Sequence, residues 1–94
     1  MLKKCLVAVI SGRVQGVGYR AFAADVAMRA SLQGTARNMV DGRVEVIAEG
    51  PENQLRTFLE DLRIGPILSR VDNIESRWEK PIENFARSGF EILY

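Results

Sequence analysis

The sequence predicts an α+β sandwich, an antiparallel sheet with two helices on one face in the order β-α-β-β-α-β, closed by a short extra strand. Apolar residues alternate with period two in the strand-like stretches, and in two places the period changes to that of a helix. Glycine or proline turns separate the blocks. The length, 94 residues, suits one domain spanning residues 1–94, large enough to bury a modest core.

Lys4 to Ser11 reads as the first strand. Both of its alternating sets are apolar, Cys5, Val7, Val9 and Leu6, Ala8, Ile10, which predicts a central position in the sheet. Gly12 to Gly18 is then a loop containing three glycines. A helix follows over roughly Tyr19 to Ser31, with Tyr19, Phe22, Ala23, Val26, Ala27 and Ala30 forming one apolar stripe. Gly34 marks its exit, and Thr35 to Val40 reads as the second strand. Asp41-Gly42 is a hairpin signal, with Arg43 to Glu49 as the return strand.

Gly50-Pro51 opens the second helix, Pro51 suiting the first helical position and Glu52 the positive end of the dipole. Its stripe is Leu55, Phe58, Leu59 and Leu62, and Gly65-Pro66 stops it. Arg70 to Glu79 is the fourth strand, with Ile74, Ser76 and Trp78 on one side. Phe90, Ile92 and Tyr94 mark the last. This order is the ferredoxin-like split βαβ pattern, which hosts many functions and settles none.

Composition narrows the chemistry. The net charge of +1 lacks the basic excess of a nucleic-acid binder. An RNA-recognition sheet of the same topology needs aromatics on its first and third strands, and Lys4–Ser11 and Arg43–Glu49 carry none. The apolar run Cys5 to Ile10 is too short to span a bilayer or serve as a signal segment, so a cytoplasmic protein without membrane association is expected. With no histidine and a single cysteine, Cys5, the commonest general base, metal ligand and disulfide are all missing. The Cys-to-Arg spacing of tyrosine phosphatases fails too, because the sixth residue after Cys5 is Ser11.

The segment that carries chemistry is Gly12-Arg13-Val14-Gln15-Gly16-Val17-Gly18-Tyr19-Arg20, between the first strand and first helix. Glycines let successive backbone N–H groups turn inward as an anion-binding nest. The start of the helix adds its positive end at the same point. Arg20, in the first helical turn, can fork two N–H groups onto phosphate oxygens. A second feature is Asn38, whose amide holds a donor and an acceptor and can orient a water without taking its proton. Arg37 beside it alternates to the opposite face, and Arg13 reads as a solvated charge. A two- or four-residue hairpin loop would put Asn38 on the face of Glu45, and a three-residue loop with Gly42 as its bulge would put it with Val44.

The nine residues from Gly12 to Arg20 resemble the first signature of the acylphosphatase family. Gly34-Thr35-Ala36-Arg37-Asn38, with Asp41-Gly42-Arg43-Val44-Glu45-Val46, resembles the second. The likeness runs on through Gly65-Pro66, Val71 to Trp78 and Ser88-Gly89-Phe90-Glu91-Ile92; Thr35 departs from it, an aromatic being frequent there. The resemblance implies hydrolysis of acyl phosphates with no metal or other cofactor. It implies that Val14, Gln15, Gly16, Val17, Gly18, Tyr19 and Arg20 hold the phosphate, and that Asn38 orients the attacking water. The catalytic pair is then Arg20 and Asn38. The expected partners are a small acyl phosphate and inorganic phosphate, as product and inhibitor, acting on a monomer.

Overall fold

The computed structural model describes residues 2–81 and 89–94. Among the described residues, five strands, β1 (Lys3–Arg13), β2 (Gln33–Asn38), β3 (Val44–Pro51), β4 (Arg70–Glu79) and β5 (Phe90–Leu93), form one sheet in the order β4-β1-β3-β2-β5. Helices α1 (Tyr19–Arg29) and α2 (Glu52–Ile64) connect β1 to β2 and β3 to β4. Among the described residues no helix is long and apolar enough to cross a membrane.

Strand β1 lies between β3 and β4, antiparallel to both, in the central place its doubly apolar pattern predicts. Strands β2 and β3 are antiparallel, but β5 joins parallel to β2, so the sheet is mixed. The even-numbered residues Leu6, Ala8, Ile10, Val44, Val46 and Ala48 share one face with Ala36 and Phe90. Tyr19, Ala23 and Ala27 of α1 and Leu55, Phe58 and Leu62 of α2 close over that face. Burying each of the larger of these side chains contributes about 2 kcal/mol. The ring of Phe90 meets that of Phe58 edge-on, with centroids 6.2 Å apart, and so anchors β5 beneath α2.

Several boundaries differ from the sequence expectation. β1 runs on through Gly12 and Arg13, which pair with Val71 and Arg70 after a register shift at Ser11/Gly12; a pattern of side chains does not reveal a bulge. β2 covers 33–38 rather than 35–40, because Gln33 and Gly34 find partners on β3 while Val40 is fully exposed at the hairpin tip. Pro51 ends β3 in an extended conformation and acts as the N-cap of α2, so Glu52 takes the first helical position. There the Arg56 guanidinium, 2.7 Å away, holds the Glu52 carboxyl below its usual range. Helix α1 stops at Arg29, and its buried face includes Ala24, while Phe22 and Val26 are only half-buried. Trp78 stays partly exposed, with the Arg56 guanidinium 5.2 Å from its ring centre. Of the C-terminal segment carrying the resemblance, Ser88 lies outside the described residues.

Candidate active site

The site forms where the β1–α1 loop meets the ends of β2 and β5. Gly16 and Gly18 take φ of 74° and 79°, values an L side chain resists, and Val17 between them does not. Such alternation turns neighbouring N–H groups to one side. Gly18 is the N-cap of α1; no side chain caps the helix and no acidic residue stands in its first turn. The first intrahelical bond is Phe22 N to Gly18 O at 3.0 Å, so the amides of Tyr19, Arg20 and Ala21 precede the ladder. A carboxylate or hydroxyl would ordinarily satisfy these groups. Here the donors are left with the polarity that an anion would complement.

Opposite this turn, the hairpin decides the orientation of Asn38. Met39 N donates to Arg43 O at 2.7 Å, and Gly42, with φ 97°, donates to Met39 O at 3.1 Å. Three residues, Val40 to Gly42, are left to make the turn. Asn38 therefore pairs with Val44, on the helix-covered face, and Arg37 pairs with Glu45 on the other. The open choice between Glu45 and Val44 is settled for Val44. Arg37 Nε lies 2.7 Å from the Glu45 carboxylate, which keeps it away from the site, as alternation predicts.

These elements enclose a cavity of about 160 Å³ lined by Val14, Gly16, Gly18, Tyr19, Arg20, Ala21, Asn38, Ile92 and Tyr94. Among the described residues, no carboxylate side chain lines it. Its volume suits a phosphoryl group with part of a substituent, and is below that of a drug-sized pocket. A larger cavity of about 510 Å³ lies between the helices, lined by Phe22, Val26, Phe58 and Ile64 among others, and includes none of the loop amides. Chemistry, not size, selects the smaller one.

Most of the residues singled out from sequence meet here: Val14, Gly16, Gly18, Tyr19, Arg20 and Asn38 all line the cavity, whereas Gln15 and Val17 do not. The Tyr19 ring enters the core, where its hydroxyl donates to Leu62 O at 2.6 Å. Burial pushes its phenol well above the usual tyrosine range. Arg20 is half-buried; its Nη1 donates to Leu93 O at 2.7 Å and its guanidinium stands 4.9 Å from the centre of the Tyr94 ring.

Sequence reasoning missed Ala21, Ile92 and Tyr94 as site residues. Ala21 follows once the helix start is fixed at Tyr19. Ile92 and Tyr94 alternate with buried Phe90, a signal of a shared face, but only the parallel pairing of Ile92 with Ala36 brings that face beside Asn38.

A family model described as Acylphosphatase matches residues 6–92. An acylphosphatase of Thermus thermophilus is 56% identical over 87 residues, spanning 93% of this chain and 96% of that protein. The crystal structure of acylphosphatase from Bacillus subtilis superposes with a TM-score of 0.90 at 38% identity, covering 97% of this chain and 99% of that one. The structure of an acylphosphatase from Coxiella burnetii gives a TM-score of 0.88 at 28% identity, covering 97% and 93%. By identity, coverage and fold together, this chain belongs to the acylphosphatase family, enzymes that hydrolyse acyl phosphates.

Proposed function

We propose that Arg20 and Asn38 carry out the hydrolysis in this chain, without a metal ion or other cofactor. The observation that supports this is that Arg20 and Asn38, far apart in sequence, line one small cavity with the uncapped first turn of α1. The phosphoryl oxygens sit against the loop amides on the cavity side, between Val14 and Arg20 and at the start of α1, and the Arg20 guanidinium bonds them from the side. Asn38 orients a water for attack at phosphorus, in line with the acyl oxygen. The P–O bond to the acyl group breaks as the new one forms, and the water's proton passes to a phosphoryl oxygen. The products are a carboxylate and inorganic phosphate.

This machinery is sufficient because the reaction is undemanding at both ends. The leaving carboxylate has a conjugate acid of pKa about 4 and departs without a general acid. Charge in the loose transition state spreads over the phosphoryl oxygens, where positioned N–H donors act. Orientation of the water is the remaining task. A histidine or cysteine is not required.

Inorganic phosphate fits the same cradle and is proposed as an inhibitor competitive with substrate. The working unit is taken as one domain over residues 1–94, a monomer in the cytoplasm, where a lone cysteine needs no partner. Hydrolysis of benzoyl phosphate by the purified chain, with and without a chelator, tests the proposal. Turnover that is unaffected by chelator and competitively inhibited by phosphate is expected. Turnover that disappears with chelator would refute the metal-free mechanism.

A further inference from the structure

We propose that Gln15 is a positioning residue whose carboxamide locks the phosphate loop to the β2–β3 hairpin and so sets the place of Asn38 over the cradle. The inference rests on the water-orienting role given to Asn38 above. Gln15 belongs to the loop, but its side chain leaves the cavity. Its Nε2 donates to Met39 O at 2.8 Å and to Arg43 O at 3.0 Å. Both acceptors are carbonyls, so only the NH₂ end of the amide can face them, and it uses both of its protons.

The two acceptors close the mouth of the hairpin. Arg43 O also accepts from Met39 N at 2.7 Å, and Met39 O also accepts from Gly42 N at 3.1 Å. Met39 directly follows Asn38, and Arg43 directly precedes Val44, the cross-strand partner of Asn38. On its other side Gln15 is joined to Gly16, the first of the two positive-φ glycines of the cradle. One amide thus spans the backbone that binds phosphate and the backbone that carries the water-orienting side chain. Asn38 itself is exposed at the end of β2, so packing does little to hold it. The Asp41 carboxylate, bonded to Arg43 N and Nε, fixes the tip of the hairpin but makes no link to the loop. An error of about 1 Å between water and phosphorus costs on the order of 10²-fold in rate, so even partial slippage would be visible.

A double-mutant cycle on the whole chain tests this. Gln15→Met, Asn38→Ala and the double variant are compared with the parent for kcat and KM on benzoyl phosphate and for inhibition by inorganic phosphate. Gln15→Met keeps length and removes both donors. It is expected to lower kcat about tenfold with phosphate inhibition changed by less than about twofold, and to lower kcat by less than about twofold when Asn38 is already alanine. Undiminished kcat in Gln15→Met, an equal loss in both backgrounds, or a loss of phosphate inhibition in step with kcat would overturn the proposal. If Gln15→Met folds poorly by circular dichroism, Gln15→Glu serves: nearly the same in shape, it turns a carboxylate on the two carbonyls, and parent-like kcat in it would overturn the proposal. Parent-like turnover in Asn38→Ala alone would remove the role of Asn38, and the Gln15 proposal with it. That outcome is distinct from an impaired Asn38→Ala with which Gln15 shows no coupling.

Discussion

The guanidinium of Arg20 bonds the Leu93 carbonyl at 2.7 Å while it lines the cavity that Asn38 faces. A guanidinium has five N–H donors in a rigid fork, so one can be held by β5 while others remain for a phosphate. The strand thereby aims the arginine. It is itself anchored by Phe90 against Phe58.

Arg20→Lys should therefore fail almost as badly as Arg20→Ala. A lysine keeps the charge but cannot fork onto two oxygens while also bonding Leu93. Loss of at least about 10²-fold in kcat/KM is expected for both, by analogy with removal of one oxyanion donor. Benzoyl-phosphate kinetics decide it, and a lysine variant within a few fold of the parent would show that charge alone suffices.

Asn38→Ala should separate chemistry from binding. The cradle from Val14 to Arg20 is untouched, so inhibition by inorganic phosphate should stay near the parent value. Turnover should fall on the order of 10²-fold, since the water loses its fixed orientation. Equal weakening of both would place Asn38 in phosphate binding instead.

Gly18→Ala and Gly42→Ala form a matched pair. Both glycines have positive φ, 79° and 97°, and an added methyl meets nothing within 4 Å at either. Each substitution should cost about 1–2 kcal/mol of stability through backbone strain alone. Only Gly18→Ala should also weaken phosphate inhibition, because only Gly18 shapes the cradle. Urea denaturation with a phosphate inhibition series reads both effects.

Tyr19→Phe should destabilise the fold while leaving the chemistry intact. It deletes the 2.6 Å bond to Leu62 O and leaves that buried carbonyl without its donor, a loss of about 1–3 kcal/mol. Because the Tyr19 ring lies in the core, kcat should remain within about twofold of the parent, well below the tenfold that corresponds to about 1.4 kcal/mol in a barrier. Thermal melting and steady-state kinetics together test this division.

Cys5 gives the fold an alkaline limit. Burial, reinforced by the nearby Glu49 and Glu79 charges and opposed by Arg77, raises its thiol from 9.0 to about 11. A folded pKa above the unfolded one means the contribution is fully present below pH 9 and is lost as pH rises from about 9 to 11. Over that window the unfolded chain sheds a proton that the folded chain keeps, at up to about 1.4 kcal/mol per pH unit. Cys5→Ala should remove this component from a stability-against-pH curve, and an unchanged slope would mean that other groups set it. At neutral pH the thiol should resist alkylation until the protein unfolds.

The sequence by itself determined the order of elements, the interior place of β1, most of the core-facing residues of α2 and the glycine pattern of the loop between β1 and α1. Those features are written in local periods of two and 3.6 and in residues whose backbone preferences act within a few positions, such as Gly16, Gly18 and Pro51. Arg20 stood out for the same reason, since it directly follows that loop. Asn38 was legible only through resemblance, because an asparagine before a turn is ordinary.

Tertiary structure alone decided where β5 goes, and with it the companions of Arg20. A short strand has no local signal for its neighbour; its parallel register with β2 puts Phe90 edge-on against Phe58. Tertiary structure also decided the face of Asn38, which depends on whether the hairpin closes with an odd or even number of residues. A single-residue change flips every side chain of the strand, and backbone bonds such as Met39 N to Arg43 O make that choice. It also turned Gln15 from the phosphate toward the hairpin, because the carbonyls that receive it come from a part of the chain that folding alone brings near.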